Sequence, residues 1–235
     1  MAPWIVLPTY NEAENVEPVI AAVRAALPQA RILVVDDASP DGTGDLAAAL
    51  DGVEVLRRAA KAGLGAAYVA GFSHALAHGA TAVFEMDADG SHAAGALPRL
   101  LAAVEAGADV AIGSRYVPGG GVENWPLVRR VVSRGGCLYA RAVLRVPVRD
   151  LTGGFKCFRA EALRTIDFST VRSRGYAFQV ELTYRALLRG LRVTELPIVF
   201  RERERGESKM TARIALEAAW LVPALRASRR THARA

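Results

Sequence analysis

The fold is decided by the segment Ala82-Val83-Phe84-Glu85-Met86-Asp87-Ala88-Asp89-Gly90-Ser91-His92. Mostly apolar residues run into two carboxylates and then into Gly-Ser, which is the pattern of a buried strand that ends in an exposed acidic turn. In an open α/β sheet, ligands bind beyond the carboxyl ends of the strands. Residues two apart in extended backbone point the same way, so Asp87 and Asp89 can face one hard cation, Mg²⁺ or Mn²⁺, together with phosphate oxygens. Taken alone, an Asp-x-Asp pair is more typical of a helix cap or a solvated turn.

Strand and helix patterns alternate through the first half of the chain. Apolar, β-branched runs predict buried strands at 4–7, 32–35, 53–56, 82–85 and 110–113, with helices at about 15–27, 43–50, 63–78 and 97–106. This alternation implies parallel strands with right-handed crossovers, so the strand ends meet at one edge of the sheet. The polar residues expected at that edge are Tyr10, Glu12, Asp36, Asp37, Asp87, Asp89, Ser114 and Arg115.

Length and composition fit one α/β domain, alone or with an accessory segment. Of the 235 residues, 51% are hydrophobic and 23% are charged. Two cysteines provide no disulfide framework and suit a reducing compartment. The chain opens on a strand pattern rather than a charged-then-apolar leader, and no run reaches the roughly 18 apolar residues of a membrane span, so we expect a cytoplasmic protein.

Two nucleotide-binding signatures are missing from the sequence. No Gly-x-Gly-x-x-Gly follows the first strand, and no Gly-Lys-Ser/Thr phosphate loop occurs. Both observations argue against a dinucleotide site and against a P-loop nucleotide site.

Positive charge is concentrated in one segment. The net charge is +6, and residues 124–149 contain six arginines and no acid. A helix predicted at about 126–144 would carry four of them as one stripe, with Gly135-Gly136 expected to break or kink it. Such a stripe could bind an anionic partner: a membrane surface, a phosphate or a nucleic acid. It is equally typical of a helix that packs on the core and keeps its arginines in water.

A highly charged run, FRERERGESKM, occupies residues 200–210. Runs of this kind usually form solvated loops. Its mixed charges and its glycine also suit a mobile flap that closes over phosphates through Arg203 and Lys209.

Seven segments together resemble one enzyme family. They are PTYNE at 8–12, VVDDASPDGT at 34–43, MDAD at 86–89, GSRY at 113–116, DLTGGF at 150–155, GYAFQVE at 175–181 and the run at 200–210. In this order they resemble the dolichol/polyprenol-phosphate mannosyltransferases, which are family-2 inverting glycosyltransferases, and the likeness extends from residue 4 to about 212.

The resemblance implies the α/β architecture of nucleotide-diphospho-sugar transferases, the GT-A fold: a single domain with a mostly parallel sheet flanked by helices. Residues 1–212 would form the catalytic domain, within which 124–149 would be a basic amphipathic segment that faces the acceptor and the membrane. Residues 213–235 would add a C-terminal amphipathic helix and a basic tail.

The same resemblance implies GDP-mannose as donor, a dolichyl or polyprenyl phosphate as acceptor and a β-mannosyl phosphate lipid as product. Guanine and ribose contacts would come from Pro8, Tyr10, Glu12, Val35 and Asp37. The metal and diphosphate turn would comprise Asp87, Ala88, Asp89 and Ser91, the last standing where many relatives carry a longer Gln. The donor phosphates and sugar would meet Arg115, Arg203 and Lys209. The expected catalytic residues are Asp89, Arg115 and Arg203.

The acceptor phosphate would bind Arg129 and Ser133, which are four apart and so share one helical face. A phosphate monoester, whose second pKa is about 6, is already an oxyanion at neutral pH and needs no general base. Asp150 is a base in principle, but its place in a turn favours a structural role. The protein would then reach its lipid peripherally at the cytoplasmic face of the membrane, or through a membrane-anchor protein.

Two other interpretations stay open on the sequence alone. The first is a UDP-glucose-dependent polyprenyl-phosphate glucosyltransferase, since the base-binding residues do not distinguish guanine from uracil. The second is a basic nucleic-acid-binding module built on the arginine-rich segment. Against the second, Trp125 and Tyr139 give that segment few aromatic rings on which bases could stack, so we expect no nucleic-acid partner.

Overall fold

The computed structural model describes residues 1–171, 173, 175–202 and 212–227. Strands and helices alternate as predicted up to residue 114. In chain order the elements are β1 (Pro3–Thr9), α1 (Val16–Ala26), β2 (Arg31–Asp36), α2 (Thr43–Ala48), β3 (Val53–Arg57), α3 (Leu64–Ala77), β4 (Ala82–Glu85), α4 (Leu97–Glu105), β5 (Val110–Ser114), β6 (Gly121–Glu123), α5 (Leu127–Leu144), β7 (Lys156–Arg159), α6 (Ala160–Ile166), α7 (Tyr176–Leu188), β8 (Val193–Pro197), β9 (Val199–Arg201) and α8 (Ala212–Ala227).

Within these residues the main sheet has seven strands in the order β3-β2-β1-β4-β7-β5-β8. β7 runs antiparallel to both of its neighbours, whereas the other pairings are parallel. The mostly parallel sheet flanked by helices is therefore confirmed. Because β7 is reversed, it begins at the edge where β4 and β5 end, so the loop that precedes it reaches the same edge. The strand pattern alone did not predict this reversal.

The main sheet is buried on both faces. Along β1, Trp4 and Val6 enter an apolar cluster with residues of α3 and α7, while Ile5 and Leu7 enter a second cluster with residues of α1 and α4. Burying an apolar side chain of this size contributes about 1.5–3 kcal/mol. Burial on both faces is why the parallel strands are continuous apolar runs rather than alternating ones.

The expected break in the basic helix is wrong. α5 continues through Gly135 and Gly136, around which a Cβ would meet only open space. The two glycines lower helix propensity by about 1 kcal/mol each. The helix nevertheless persists because Cys137, Ala140 and Leu144 are buried against the core.

The remaining elements lie beside α5. β6 and β9 form a small parallel sheet, and α8 places Val222 and Leu225 in the core. The Arg226 guanidinium donates to the carbonyl of Val143, which joins α8 to α5. Among the helices of the described part of the chain, none combines the length and apolar composition needed to cross a membrane.

We predict that Gly71→Ala destabilises the protein by about 1–3 kcal/mol. Gly71 of α3 packs so closely on β1 that a Cβ there would overlap Val6 and approach Val35 Cγ2 to 3.0 Å. Urea unfolding measures the effect. Gly135→Ala, in open space, is the matched control and should raise the free energy of unfolding by up to about 1 kcal/mol. Equal changes at the two sites would contradict the close approach of α3 to β1.

Candidate active site

Three neighbouring strands bring the first predicted site residues together. The pairing of β1 with β2 places Thr9 opposite Asp36, and the pairing of β1 with β4 places Val6 opposite Glu85. The turns that follow these three strands therefore start side by side. This confirms that the polar segments after the strands share one edge of the sheet.

Asp37 holds the loop that leads into α3. Its Oδ1 accepts from Arg58 Nη1 at 2.6 Å, and its Oδ2 accepts from the backbone N–H groups of Ala62 and Gly63, each at 3.1 Å. The neighbouring Asp36 accepts from the hydroxyls of Thr9 and Ser39. Asp37 thus fixes the loop whose Lys61 lies over the Tyr10 ring.

The residues predicted to hold the base differ in accessibility. Pro8, Tyr10 and Glu12 are half-buried at the edge, but the Val35 side chain is fully buried in the core. Val35 therefore reaches a ligand only through its backbone. The ammonium of Lys61, on the loop that Asp37 holds, lies 3.7 Å from the centroid of the Tyr10 ring. This cation–π contact places a positive charge beside the aromatic face.

The acidic turn is supported from beneath by His92. The backbone N–H of Asp87 donates to His92 Nδ1 at 3.1 Å, and the imidazole stacks on Phe155 with ring centroids 4.9 Å apart. Burial lowers the pKa of His92 to about 4, so the ring is neutral at pH 7 and Nδ1 accepts a hydrogen bond. The Tyr68 hydroxyl donates to Asp87 Oδ1 at 3.2 Å, and burial raises the pKa of Tyr68, which keeps this donor protonated.

The acidic turn carries oxygen donors that could hold a divalent cation. Asp89 Oδ1 accepts from the backbone N–H of Ser91 at 3.0 Å. The Ser91 hydroxyl is 1% exposed and has no hydrogen-bond partner within the described residues. The same residues contain no group of three or more His, Cys, Asp or Glu side chains arranged for a metal. Two carboxylates and a hydroxyl are hard oxygen donors that suit Mg²⁺ or Mn²⁺ when the other ligands are water and substrate phosphate.

A buried polar network lies under the acidic turn. Lys156 Nζ is 3.7 Å from Glu85 Oε2, and the Gln179 side chain bonds to both groups. Burial raises the pKa of Glu85 to about 7 against the opposing effect of Lys156, and burial lowers the pKa of Lys156. A Cβ at Gly154 would lie 3.3 Å from Gln179 Nε2 and 3.8 Å from the Asp87 carboxylate. Glycine at 154 therefore lets the network pack directly under the turn.

Arg115 and Asp150 form a buried bidentate ion pair at the end of β5. Arg115 Nε donates to Asp150 Oδ2 at 2.7 Å and Nη2 donates to Oδ1 at 2.6 Å, while Nη2 also donates to Thr152. Burial acts to raise the pKa of Asp150, but the charge and hydrogen bonds of Arg115 outweigh it and hold that pKa below its ordinary value. This bonding agrees with the structural role favoured for Asp150, which stays a prediction.

Aromatic rings connect Arg115 to the acidic turn and to α5. The Phe200 ring lies 5.3 Å from the His92 ring and 5.3 Å from the Trp125 ring, edge to face. The guanidinium carbon of Arg115 lies 5.6 Å from both the Phe200 and the Trp125 centroids. The Arg129 guanidinium carbon lies 4.2 Å from the centroid of the same Trp125 ring. Two cationic groups therefore share one indole near the acidic turn.

The residues predicted to bind the acceptor phosphate already have partners inside the chain. Arg129 Nη1 donates to Glu202 Oε1 at 2.5 Å, and Ser133 Oγ accepts from the Tyr116 hydroxyl at 2.7 Å. Arg203 and Lys209, predicted at the donor phosphates and sugar, lie outside the described residues.

Comparison with known proteins identifies the family. The family model described as glycosyl transferase family 2 matches residues 4–167. The chain belongs to glycosyltransferase family 2. The polyprenol monophosphomannose synthase of Mycolicibacterium smegmatis is 54% identical over 88% of this chain and 80% of its own length. The undecaprenyl-phosphate mannosyltransferase of Micrococcus luteus is 51% identical over 91% and 89%. The dolichol-phosphate mannosyltransferase of Pyrococcus furiosus is 36% identical over 91% and 60%.

Solved structures of other proteins share the fold of this chain. A glucosyl-3-phosphoglycerate synthase from Mycobacterium tuberculosis, in complex with Mn²⁺, UDP and glucosyl-3-phosphoglycerate, superimposes with a TM-score of 0.71 over 97% of this chain and 79% of its own. A structure described as a mycobacterial protein gives 0.71 over 97% and 74%. At 19% and 18% identity these similarities concern the fold, and they confirm the GT-A architecture.

Membership of this glycosyltransferase family confirms the resemblance to the polyprenyl-phosphate mannosyltransferases and the prediction of an enzyme. It favours the enzyme over the interpretation of the chain as a nucleic-acid-binding module. The arginine-rich segment forms a helix of a glycosyltransferase rather than a separate binding unit.

Several residues of this glycosyltransferase site carried little signal in the sequence. His92, Trp125 and Glu202 became prominent through long-range contacts with Asp87, Phe200 and Arg129. Glu85, a charged residue within the predicted buried strand 82–85, was a local sign of a paired polar group, because an unpaired charge is rarely fully buried.

We predict that Lys156→Met lowers the free energy of unfolding by roughly 3–5 kcal/mol, because it leaves Glu85 buried without its cation. Adding Glu85→Gln to that variant should recover part of the loss. Urea unfolding of both single variants and the double variant completes the cycle. Strictly additive losses would show that the two side chains do not stabilise each other.

Proposed function

We propose that the protein transfers mannose from GDP-mannose to the phosphate of a polyprenyl or dolichyl phosphate, with inversion, to give polyprenyl β-mannosyl phosphate. The names of the relatives at 54% and 51% identity support mannose transfer to a polyprenyl phosphate, and GDP-mannose as the donor is taken from the resemblance. The structural observation that carries the proposal is the sharing of Trp125 by Arg115 and Arg129 beside the acidic turn. Two cations at that position suit a reaction in which two phosphate-bearing substrates meet.

The donor end of the site is assigned to the edge formed by β2, β1 and β4. Tyr10, Glu12 and Asp37, with Pro8 and the backbone of Val35, would hold the nucleoside. Asp87, Asp89 and Ser91, with Ala88 between them, would hold Mg²⁺ or Mn²⁺. When bound there, the cation would offset the negative charge that develops on the leaving diphosphate. Arg203 and Lys209 complete the proposed donor set by resemblance.

The chemistry requires positioning rather than proton removal. An oxygen of the acceptor phosphate attacks C1 of the sugar while the bond from C1 to the diphosphate oxygen breaks, and GDP leaves with the electron pair. The attacking oxygen is already ionised at neutral pH. Asp150 agrees with this scheme, because both of its oxygens bond to Arg115 and its pKa is held low. Arg115 is thereby fixed as a cation that lowers the repulsion between the two anions.

The acceptor end is assigned to α5 and its surroundings. Arg129 and Ser133 lie on one face of that helix and would hold the phosphate. Apolar side chains of α5 are exposed next to its arginines: Leu127, Val128, Val131, Val132, Leu138 and Tyr139. Trp220 of α8, the helix joined to α5 through Arg226, is 79% exposed.

An exposed apolar and basic surface suits an anionic lipid membrane, which is where a polyprenyl phosphate resides. We therefore assign α5 and α8 to peripheral contact with the cytoplasmic face of the membrane, with or without an anchor protein. In this assignment residues 1–212 are catalytic, 124–149 face the acceptor and 213–235 support membrane contact.

Radiolabelled mannose should move from GDP-mannose into an organic-extractable, mild-acid-labile lipid. Asp89→Asn keeps the size of the side chain but removes a charge from the metal turn, so we expect turnover to fall by roughly 10²-fold or more. Asp51→Asn, at an exposed loop position, is the matched control and should leave turnover unchanged. Undiminished activity of Asp89→Asn, or faster labelling from UDP-glucose than from GDP-mannose, would contradict the proposal.

Binding to lipid vesicles tests the membrane surface. Leu127→Ser should reduce sedimentation with anionic vesicles several-fold, because it removes an apolar side chain from the proposed contact. Leu46→Ser makes the same change at another exposed leucine, on α2, and should have no effect. If both variants sediment like the unmodified protein, α5 does not form the contact.

A further inference from the structure

The Arg129 guanidinium is occupied by a carboxylate of its own chain. Arg129 Nη1 lies 2.5 Å from Glu202 Oε1, and Glu202 directly follows β9. The guanidinium carbon of Arg129 also lies 4.2 Å from the centroid of the Trp125 ring. A negatively charged oxygen is therefore held at the position where the proposed function requires an oxygen of the acceptor phosphate.

Two hydrogen-bond donors beside this ion pair are unsatisfied. Trp125 Nε1 and Arg129 Nε are buried, and within the described part of the chain no acceptor lies in hydrogen-bonding distance of either. Trp125 is only 9% exposed, so water does not substitute freely for a partner. Buried donors normally have partners, and two unsatisfied ones on side chains in contact with each other indicate a ligand richer in oxygen than a carboxylate.

We propose that Glu202 occupies the place of the acceptor's phosphate and is displaced each time an acceptor binds. The inference rests on the proposed function, because it takes a prenyl phosphate as the ligand. A carboxylate and a phosphate bind a guanidinium in the same manner, through charge-assisted hydrogen bonds. The phosphate carries more charge and more acceptor oxygens, so it also satisfies Trp125 Nε1 and Arg129 Nε once Glu202 has moved away.

Replacement of the Glu202 carboxylate by a phosphate lets the site distinguish charged from neutral prenyl lipids. A prenyl phosphate replaces one anion by another at Arg129, whereas an uncharged prenol of the same length would leave Arg129 without its counter-ion. Glu202 therefore disfavours neutral lipids and lowers the apparent affinity for the charged acceptor, because part of the binding free energy is used to displace it.

The small β6–β9 sheet supplies a matched control. Glu123, at the end of β6, pairs with Arg201 Nε at 2.9 Å, next to Glu202 in sequence. Glu123→Gln and Glu202→Gln each remove one negative charge, from the end of β6 and from the residue after β9. Of these two glutamates, only Glu202 bonds to Arg129. The pair of variants separates displacement at Arg129 from a general change in surface charge.

The experiment measures binding of farnesyl phosphate and of farnesol by calorimetry, at fixed ionic strength and without donor. We expect Glu202→Gln to bind farnesyl phosphate about fivefold more tightly than the unmodified protein, and Glu123→Gln to stay within about twofold. Trp125→Phe keeps the ring but loses the N–H, so it should bind about fivefold more weakly. In the transfer assay, Glu202→Gln should lower KM for the acceptor and leave KM for GDP-mannose unchanged.

Equal affinities of Glu202→Gln and Glu123→Gln would overturn the inference, as would an unchanged affinity of Trp125→Phe. Either result, obtained with a protein that still transfers mannose, leaves the proposed function standing. Absence of farnesyl phosphate binding in every form, together with absence of transfer, would overturn both. Thermal unfolding of each variant verifies that the fold is retained.

Discussion

The ion pair between Arg115 and Asp150 is the interaction on which the site depends. It joins the end of β5 to the loop that enters β7, and both side chains are almost fully buried. A buried pair of this kind is stable only when its remaining hydrogen-bonding groups are satisfied. Thr152 bonds to the guanidinium, and Glu195 of β8 accepts from the backbone N–H of Asp150. The charge of Arg115 is consequently fixed in position before any ligand arrives.

The antiparallel direction of β7 positions Arg115, because its partner Asp150 lies on the loop that precedes β7. Because β7 lies between β4 and β5 and runs in the opposite direction, its preceding loop meets the ends of both neighbours. The acidic turn after β4 and Arg115 after β5 are thereby brought to opposite sides of one loop. Phe200 bridges them through His92 and Trp125. A site that combines carboxylates for a cation with preorganised guanidinium groups suits reactions in which charge on phosphates must be neutralised without solvent rearrangement.

The sequence allowed the alternating strands, the shared edge and the acidic turn to be predicted, because each depends on local patterns. The run Ile32-Leu33-Val34-Val35 followed by two acids predicts a buried strand with a polar end. This prediction needs no information about the strands that pair with it. The direction of β7 depends instead on pairing between residues more than 40 positions apart. The sequence of the four residues of β7 does not indicate in which direction the strand runs. The continuity of α5 through Gly135 and Gly136 depends on packing against the core, which outweighs helix propensity.

The site was predicted by resemblance more than by local pattern. Arg115 and Asp150 were both singled out, yet their bonding to each other links positions 35 apart. The pairing of Arg129 with Glu202, 73 positions apart, was likewise invisible, because Glu202 lies in a run whose charges look solvated. Long-range ion pairs follow from the fold, and the composition of a segment does not specify its partners.

A crystal structure with Mn²⁺, GDP-mannose and farnesyl phosphate bound together would show how the cation and the two anions share the site. We expect the diphosphate and the cation to lie on Asp87 and Asp89 and the farnesyl phosphate to lie on Arg129, while Asp150 remains bonded to Arg115. A nucleotide bound away from the acidic turn, or an Asp150 that has left Arg115 to contact the acceptor, would contradict this expectation.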